Sequence, residues 1–191
     1  MSYRTDIVVA GRTFATLQDI LPESGPMRMM IIGKTPAPVS VKAGHYLQGR
    51  QGRMFWNRLQ DYGLLRVPPG KYEDEVLLDH GYGITDIVKR PYPFGVEPSG
   101  HEYRDGIARV KRLLLRLAPR VALFVYKKPL DRWLSLEAGW QVKSEYGFNR
   151  KWETSLGCKV FVFPMPGTPC NSDVARQAMR DLVEELRTLG Q

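Results

Sequence analysis

The sequence has few cysteines and no long apolar segment. Only two of its 191 residues are cysteines, Cys158 and Cys170, and they lack the CxxC spacing typical of a metal site. Because two cysteines are too few for a disulfide scaffold, we expect reduced thiols and no metal bound through them. No stretch is long enough to cross a bilayer, and the N-terminus lacks the apolar core of a signal peptide. We therefore expect a cytoplasmic protein, nucleoid-associated if bacterial, with no membrane contact.

Common nucleotide-binding signatures are also missing. No GxGxxG motif follows a predicted strand, and Lys34 and Thr35 lack the upstream glycine and four-residue spacer of a P-loop. There are no internal repeats and no composition break, so we expect a single domain over residues 1–191, and a monomer. The net charge of +8 favours an acidic partner, and nucleic acid is the main candidate.

The apolar pattern predicts an α/β protein. Short apolar runs predict strands at residues 29–33, 83–88, 121–126 and 159–163. Helical spacing predicts helices at 54–62, 72–80 and 102–117, and a last helix that Asn171 or Ser172 would cap. Phe55 and Trp56 lie in the first of these helices, where core packing is the simplest role for them. Strands that alternate with helices indicate a largely parallel sheet.

Three loops that follow predicted strands are rich in proline and glycine. They read GKTPAPVS (33–40), KRPYPFG (89–95) and PMPGTPCNS (164–172). Because ligands bind beyond the carboxyl ends of parallel strands, we expect these loops to converge on one cleft, with residues 91–101 as a lid. Lys34, Lys89 and Arg90 would place positive charge at its rim, which suits phosphates around a pocket. An enzyme for a small phosphorylated molecule would fit this pattern as well.

Three segments together resemble a known family. They are the strand and G-x-x-P loop followed by RMFW (53–56) and YGL (62–64), the segment LLDHGYGITDIVKRP (77–91), and FPMPGTP (163–169). In this order, each near a strand end, they resemble the uracil-DNA glycosylase superfamily, in particular the mismatch-specific uracil/thymine-DNA glycosylases. The resemblance covers roughly residues 27–185.

The resemblance implies both a fold and a reaction. The fold would be a three-layer α/β/α domain around a mainly parallel sheet of four to five strands. The reaction would be that of a monofunctional glycosylase, which flips uracil or a related damaged base out of DNA and hydrolyses its N-glycosidic bond, without a cofactor or metal. The partner would be DNA that contains the lesion.

Two positions depart from the family pattern. Thr35 stands where the family usually has an Asp or Asn that orients water, and a hydroxyl can hold water but cannot act as a carboxylate base. Met165 stands where the family has a His or Asn that donates to the base, and methionine donates nothing. Backbone amides at Gly167 and Thr168 could replace that donor. The resemblance implies that Met165 nevertheless lines the base pocket, together with Gly33, Lys34 and Pro36.

Three further residues are candidates for base recognition or catalysis. Asp86 matches the position of an asparagine that reads the base edge in related enzymes; a protonated Asp86 could do the same, an ionised one would repel the uracil O4 atom, and it could instead orient water. The alternative is an aspartate that caps a turn. Tyr46 is our candidate for the ring that stacks on the base. His45 would be a DNA contact or auxiliary polar group, or simply a solvated loop residue.

The remaining site candidates would contact the DNA itself. We assign this role to six residues: Arg50, Arg53, Lys89, Arg90, Pro169 and Asn171. Pro169 would fill the gap left by the extruded base, or would only stiffen the turn before the last helix. Exposed arginines often contact nothing specific.

Two functions of different classes follow from this reading. The first is a glycosylase that acts on uracil in DNA. The second is a protein of the same fold that binds DNA or abasic sites and has lost its chemistry at Thr35 and Met165. A small-molecule hydrolase is a third possibility, but the motifs contain no pairing of a nucleophile with a base.

Overall fold

The computed structural model describes residues 2–93 and 95–187, so Phe94 of the predicted lid lies outside the described residues. The strands are β1 (Arg4–Val9), β2 (Arg12–Leu17), β3 (Met29–Gly33), β4 (Tyr82–Asp86), β5 (Val121–Phe124), β6 (Gly147–Phe148) and β7 (Lys159–Val162). The helices are α1 (Pro38–Ala43), α2 (Arg50–Asp61), α3 (Gly100–Leu117), α4 (Lys127–Ala138), α5 (Glu153–Leu156) and α6 (Ser172–Arg187).

The main sheet has the strand order β4-β3-β5-β7-β6. Its first four strands are parallel, and the short strand β6 pairs antiparallel with β7 at the edge. In the register of β3 with β4, Gly33 lies opposite Asp86 at the carboxyl end. The parallel α/β sheet that the apolar runs predict is therefore confirmed. A separate antiparallel hairpin, β1-β2, precedes it.

Two apolar layers sandwich the sheet. Met29 and Ile31 face the layer built from α2 and α6, whereas Met30 and Ile32 face the layer built from α3 and α4. This alternation along one strand follows from the two-residue period of side chains in a pleated sheet. The arrangement is the three-layer α/β/α fold that the family resemblance implies.

The predicted helices exist, with shifted boundaries. Helix α2 begins at Arg50, earlier than predicted, and its Phe55 and Trp56 side chains are fully buried, which confirms core packing. Residues 72–80 form two 3₁₀ turns, Glu73–Val76 and Leu78–His80. Helix α3 begins at Gly100, because Ser99 and Glu102 form a capping box there.

The last helix has the predicted cap. The Asn171 side-chain oxygen accepts a hydrogen bond from the Asp173 amide at 2.7 Å. Ala178 and Leu182 are buried as their spacing predicts, but Val174, one turn earlier, is 49% exposed. Among residues 2–93 and 95–187, no helix has the length and apolar character to cross a membrane.

Candidate active site

The site lies where the parallel strands end. The loops after β3, β4, β5 and β7 leave the sheet at the same edge, so the three proline-rich loops share one end of the molecule, as predicted. The loop after β3 is tied to the extension of β4, since the Ile87 amide donates to Gly33 O and the Val88 amide to Lys34 O, both at 3.0 Å. These bonds hold the glycine loop against the end of β4.

Asp86 is the central side chain of this edge. It is 3% exposed, and its Oδ2 atom is buried without a hydrogen-bond partner. The carboxyl lies against the backbone of β3, because a Cβ atom at residue 33 would be 2.1 Å from Asp86 Oδ1. Only a glycine leaves room for the acid there. A buried polar side chain without a partner is typical of a group that meets a ligand. At this degree of burial, a ligand reaches the carboxyl only after the covering groups move.

The environment of Asp86 favours its neutral form. Burial raises the pKa of Asp86 to about 7, with Lys89 and Arg109 opposing the rise and the charge of Asp19 adding to it. At neutral pH a large share of the carboxyl is therefore protonated. A neutral carboxyl offers one acceptor and one donor, the same pattern as the asparagine side chain.

A charged cluster lies next to Asp86. Asp19 Oδ1 accepts from Lys89 Nζ at 2.8 Å and from Thr85 Oγ1 at 2.7 Å, while Asp19 Oδ2 accepts from Arg109 Nη1 at 2.6 Å. Arg109 also donates to Thr85 Oγ1 at 3.0 Å and to the Asp86 carbonyl. Burial alone would raise the pKa of Asp19, but the two cations outweigh it and the pKa lies below its ordinary value.

Tyr46 joins this cluster from the loop between α1 and α2. Its hydroxyl donates to Gln18 O at 3.0 Å and accepts from Lys89 Nζ at 2.9 Å. Burial, together with the negative charge of Asp86, holds the pKa of Tyr46 well above its ordinary range. The ring is 2% exposed, so a base could stack on it only after the covering groups move. The stacking role of Tyr46 stays a prediction.

His45 differs from its predicted role. It is 4% exposed, its Nδ1 atom lies 2.8 Å from Asp74 Oδ1, and Tyr72 stacks on its ring at 3.6 Å between centroids. Asp74 also accepts the Tyr46 amide at 2.7 Å. Buried and paired in this way, His45 holds the loop in place, which corrects its assignments as a DNA contact and as a solvated loop residue. Its role as an auxiliary polar group stays a prediction.

The backbone of this loop is held firmly as well. Trp56 Nε1 donates to Tyr46 O at 3.1 Å, and Leu47 has a φ of 57°, a left-handed conformation that is uncommon for a bulky residue. Gly52 allows the close approach of α2, since a Cβ there would lie 1.9 Å from Leu47 O. The contacts of α2 and Asp74 thus position Tyr46.

The first loop contains one polar group without a hydrogen bond and one cation that forms an ion pair. Thr35 is half-buried, and its hydroxyl makes no hydrogen bond within the described residues, whereas Pro36 is buried. Lys34 Nζ lies 2.8 Å from Glu97 Oε1, and Lys128 Nζ lies 2.9 Å from the same atom. Glu97, which belongs to the predicted lid, therefore pairs with Lys34 and Lys128 at the same time.

The last loop forms a tight turn. Met165 is 1% exposed and packs in the core with α2 and α6, so the base contact assigned to its side chain is corrected to a core role. The amide and hydroxyl of Thr168 both donate to Met165 O, at 3.3 and 2.6 Å. Gly167, at a φ of 80°, keeps an amide without a partner among the described residues, which makes it the better donor candidate.

Three of the basic residues predicted to contact DNA are fully or partly exposed. Arg50 and Arg53 are exposed at the start of α2, and Arg53 donates to Gln48 O at 2.6 Å. Arg90 is 37% exposed and lies over the rings of Phe14 and Tyr92.

Lys89 does not belong to the rim. Its side chain is 17% exposed and its ammonium is bound to Asp19 and Tyr46, so it is an internal cation, which corrects its assignment as a phosphate contact. Pro169 and Asn171 are exposed, as DNA contacts must be, and their role stays a prediction.

Sequence reasoning missed the residues that surround Asp86. Asp19 lies in a segment for which the apolar pattern predicts no element, and Arg109 reads as one of several solvated cations on an amphipathic helix. No local signal distinguishes either from an ordinary surface charge.

Comparison with known proteins supports the family resemblance. Residues 23–187 match the uracil DNA glycosylase superfamily. The chain is also similar to the G/U mismatch-specific uracil DNA glycosylase of Schizosaccharomyces pombe, with 32% identity over 104 residues. Those residues are 52% of this chain and 31% of the yeast protein, so the chain matches less than half of that relative's length.

Proposed function

This chain belongs to the uracil DNA glycosylase superfamily, and we propose that it removes uracil, or a related damaged base, from DNA by hydrolysing the N-glycosidic bond. The product is an abasic site. The proposal includes extrusion of the base into the cleft at the carboxyl ends of β3 and β4, since the bond is out of reach inside a stacked duplex. A duplex with uracil opposite guanine is the first substrate to test, because the yeast relative is named for that mismatch.

The observation that carries this proposal is the Asp86 carboxyl. It is buried, it has no partner for Oδ2, and its pKa is raised to about 7 by burial. In its neutral form the carbonyl oxygen accepts the N3–H group of uracil while the O–H group donates to the O4 atom. A neutral carboxyl can carry its proton on either oxygen, so we propose that the O–H group is held toward position 4 of the base. Cytosine, which has an unprotonated N3 and an amino group at position 4, matches that orientation poorly.

The same contact assists bond cleavage. As the bond breaks, its electron pair moves to N1 of the base and negative charge spreads onto the base oxygens, where a donor stabilises it. Water adds its hydroxyl group to C1′ of the sugar, and its remaining proton ends on the departing base or in solvent. Thr35 is the residue we propose to orient this water, with the Gly167 amide as a second donor to the base. The DNA phosphates supply negative charge near the positively charged sugar.

The rim suits a nucleic-acid ligand. Arg50 and Arg53 are exposed at the start of α2, and Lys34 and Lys128 both pair with Glu97 of the lid. Their charges would contact phosphates on either side of the extruded nucleotide, and such contacts bind all sequences alike. Specificity would then come from Asp86.

Excision assays with end-labelled oligonucleotides test the proposal. Each carries a single uracil, either in a single strand or opposite guanine or adenine, and abasic products are cleaved with alkali. We expect breaks only at uracil, loss of breaks in Asp86→Ala, and DNA affinity within about twofold of the wild type in that variant. Asp6→Asn, in the exposed hairpin, is the matched control. Full excision by Asp86→Ala would remove Asp86 from the mechanism.

A second function is a protein that binds DNA or abasic sites without cleaving. The observations that favour it are the buried Met165 side chain, which supplies no donor, and the hydroxyl of Thr35 in place of a carboxylate. Intact strands, together with tight and salt-sensitive binding to an abasic duplex, would select this function instead.

A further inference from the structure

The segment before β3 contributes a carboxylate to the site. The family match begins at residue 23, whereas Asp19 lies upstream, between β2 and β3. Two other groups from this segment also reach the site, since Gln18 O accepts the Tyr46 hydroxyl and Thr16 Oγ1 donates to Lys89 O. The end of β2 and the residues that follow it therefore contact Tyr46 and the loop after β4.

Asp19 forms ion pairs with both cations that adjoin Asp86. Lys89 Nζ lies 2.8 Å from Asp19 Oδ1, and Arg109 Nη1 lies 2.6 Å from Asp19 Oδ2. Thr85 Oγ1 is the third partner of Asp19 and donates to Asp19 Oδ1 at 2.7 Å. The three partners come from the loop after β4, from α3 and from β4 itself, so Asp19 joins the elements that surround the Asp86 side chain.

Asp86, in contrast, has neither cation as a hydrogen-bond partner. Arg109 reaches only its carbonyl oxygen, and Oδ2 stays without a partner. A carboxyl beside two uncommitted cations would form an ion pair with one of them and would be ionised. The difference between the two acids is that Asp19 holds both cations in place.

We infer that Asp19 is a positioning residue for Asp86: by holding Lys89 and Arg109, it keeps the Asp86 carboxyl free of ion pairs and available to the extruded base. The catalytic part of this inference rests on the proposed function, whereas the effect of Asp19 on the titration of Asp86 does not. The charged and titratable groups that face Asp86 are Lys89, Arg109, Asp19 and Tyr46, from four different parts of the chain.

Removing the charge of Asp19 should lower the titration midpoint of Asp86. In Asp19→Asn the two cations lose their partner and act on Asp86, and the repulsion from Asp19 disappears as well. We expect a fall of about one to three pH units, measured by NMR of ¹³C-labelled aspartate carboxyl groups. The Asp86 signal is assigned by its absence in Asp86→Asn. Asp6→Asn removes the same charge from the exposed hairpin and should leave the midpoint unchanged.

Activity gives a second readout. A midpoint lower by one to three pH units reduces the protonated fraction of Asp86 at pH 7 by about fivefold to several hundredfold, so we expect at least about a fivefold loss of uracil excision in Asp19→Asn, with the pH profile displaced to lower pH. Asp86→Asn cannot titrate, so adding Asp19→Asn to it should cause little further loss. A merely structural role for Asp19 would reduce the rate equally in both backgrounds, and that result would overturn the inference.

The outcomes separate this inference from the proposed function. If the wild type excises nothing but the midpoint shifts as expected, the function fails and the positioning role stands. If excision occurs and the midpoint does not move, the positioning role fails. Should Asp19→Asn not fold, Lys89→Gln tests the same cluster, because removing one cation should raise the Asp86 midpoint; an unchanged or lower midpoint would contradict the inference.

Discussion

The Asp86 carboxyl occupies the space that a side chain at residue 33 would fill, since a Cβ on Gly33 would lie 2.1 Å from Asp86 Oδ1. The two residues are opposite each other in the register of β3 and β4. The glycine of the G-x-x-P loop is therefore needed for the position of the acid.

Replacing this glycine should displace the acid. In Gly33→Ala the methyl group overlaps Asp86 Oδ1, so we expect most uracil excision to be lost and the free energy of unfolding to fall by about 1–3 kcal/mol. Single-turnover excision and urea denaturation measure the two effects. Gly100→Ala is the control, because a Cβ there meets its nearest atoms at 3.5 Å, an ordinary contact. Wild-type excision by Gly33→Ala would contradict this reading of the site.

Excision should depend on pH through Asp86. Because burial raises the pKa of Asp86 to about 7, and the neutral form reads the base, the rate should be highest below pH 7 and should fall as pH rises through it. Asp86→Asn keeps a donor and an acceptor but does not titrate. We expect it to retain activity with a flat profile between about pH 6 and 8. A falling limb that persists in Asp86→Asn would assign the titration to another group.

The same group should make stability depend on pH. The pKa of Asp86 is about 7 in the folded chain against an ordinary value of 3.8, so the folded state binds this proton more tightly. The stability from the protonated side chain is complete below the ordinary pKa and is lost as pH rises through 7. About three pKa units at about 1.4 kcal/mol each correspond to about 4 kcal/mol.

Denaturation of two proteins isolates this contribution. Between about pH 4 and 8, the free energy of unfolding of wild type should fall relative to that of Asp86→Asn by an amount of this order. Urea titrations at several pH values measure the difference, and other titrating groups cancel because both chains share them. A difference that stays constant with pH would show that Asp86 is not buried as an acid.

Glu97 should oppose DNA binding. Its carboxylate lies within 3 Å of both Lys34 and Lys128, and Glu97→Gln would release these cations to contact phosphates. We expect tighter binding to any duplex and a salt slope steeper by up to about 2, since each phosphate contact adds about 0.9. Fluorescence anisotropy at several salt concentrations measures both.

The control for that experiment is Glu23→Gln. Glu23 is exposed, and no ion pair joins it to Lys34 or Lys128 within the described residues. Glu23→Gln removes one negative charge, as Glu97→Gln does, but it releases neither Lys34 nor Lys128. Equal effects in the two variants would mean that net charge alone, not the link through Glu97, controls affinity.

Two basic residues should behave differently in the same assay. Arg50 is exposed, whereas the Lys89 ammonium is bound to Asp19 and Tyr46. Arg50→Ala should weaken binding to all sequences and reduce the salt slope by about 1, while Lys89→Ala should leave the slope unchanged and reduce excision. A reduced slope in Lys89→Ala would return that residue to the DNA interface.

Local sequence patterns determined the fold class of this protein and the edge of the sheet that carries the site. The apolar runs at β3, β4, β5 and β7 and the amphipathic spacing of α3 predict a parallel α/β sheet, because burial follows the period of each element. The motifs around Gly33 and Asp86 then indicate the family and the edge where the site lies. The hairpin β1-β2, α1, α4 and β6 have no comparably strong pattern, and none of them was predicted.

Only the tertiary structure decided which charged side chains of the site become partners. Asp19 meets its partners Thr85, Lys89 and Arg109 across 66, 70 and 90 residues of sequence. The motifs predict ligand contacts for Met165, His45 and Lys89, but the fold buries the first two and pairs Lys89 with Asp19. A periodic pattern reports whether a residue faces the core, whereas the partner of a charge depends on which distant elements pack together. That packing keeps the Asp86 carboxyl free of ion pairs at the end of β4.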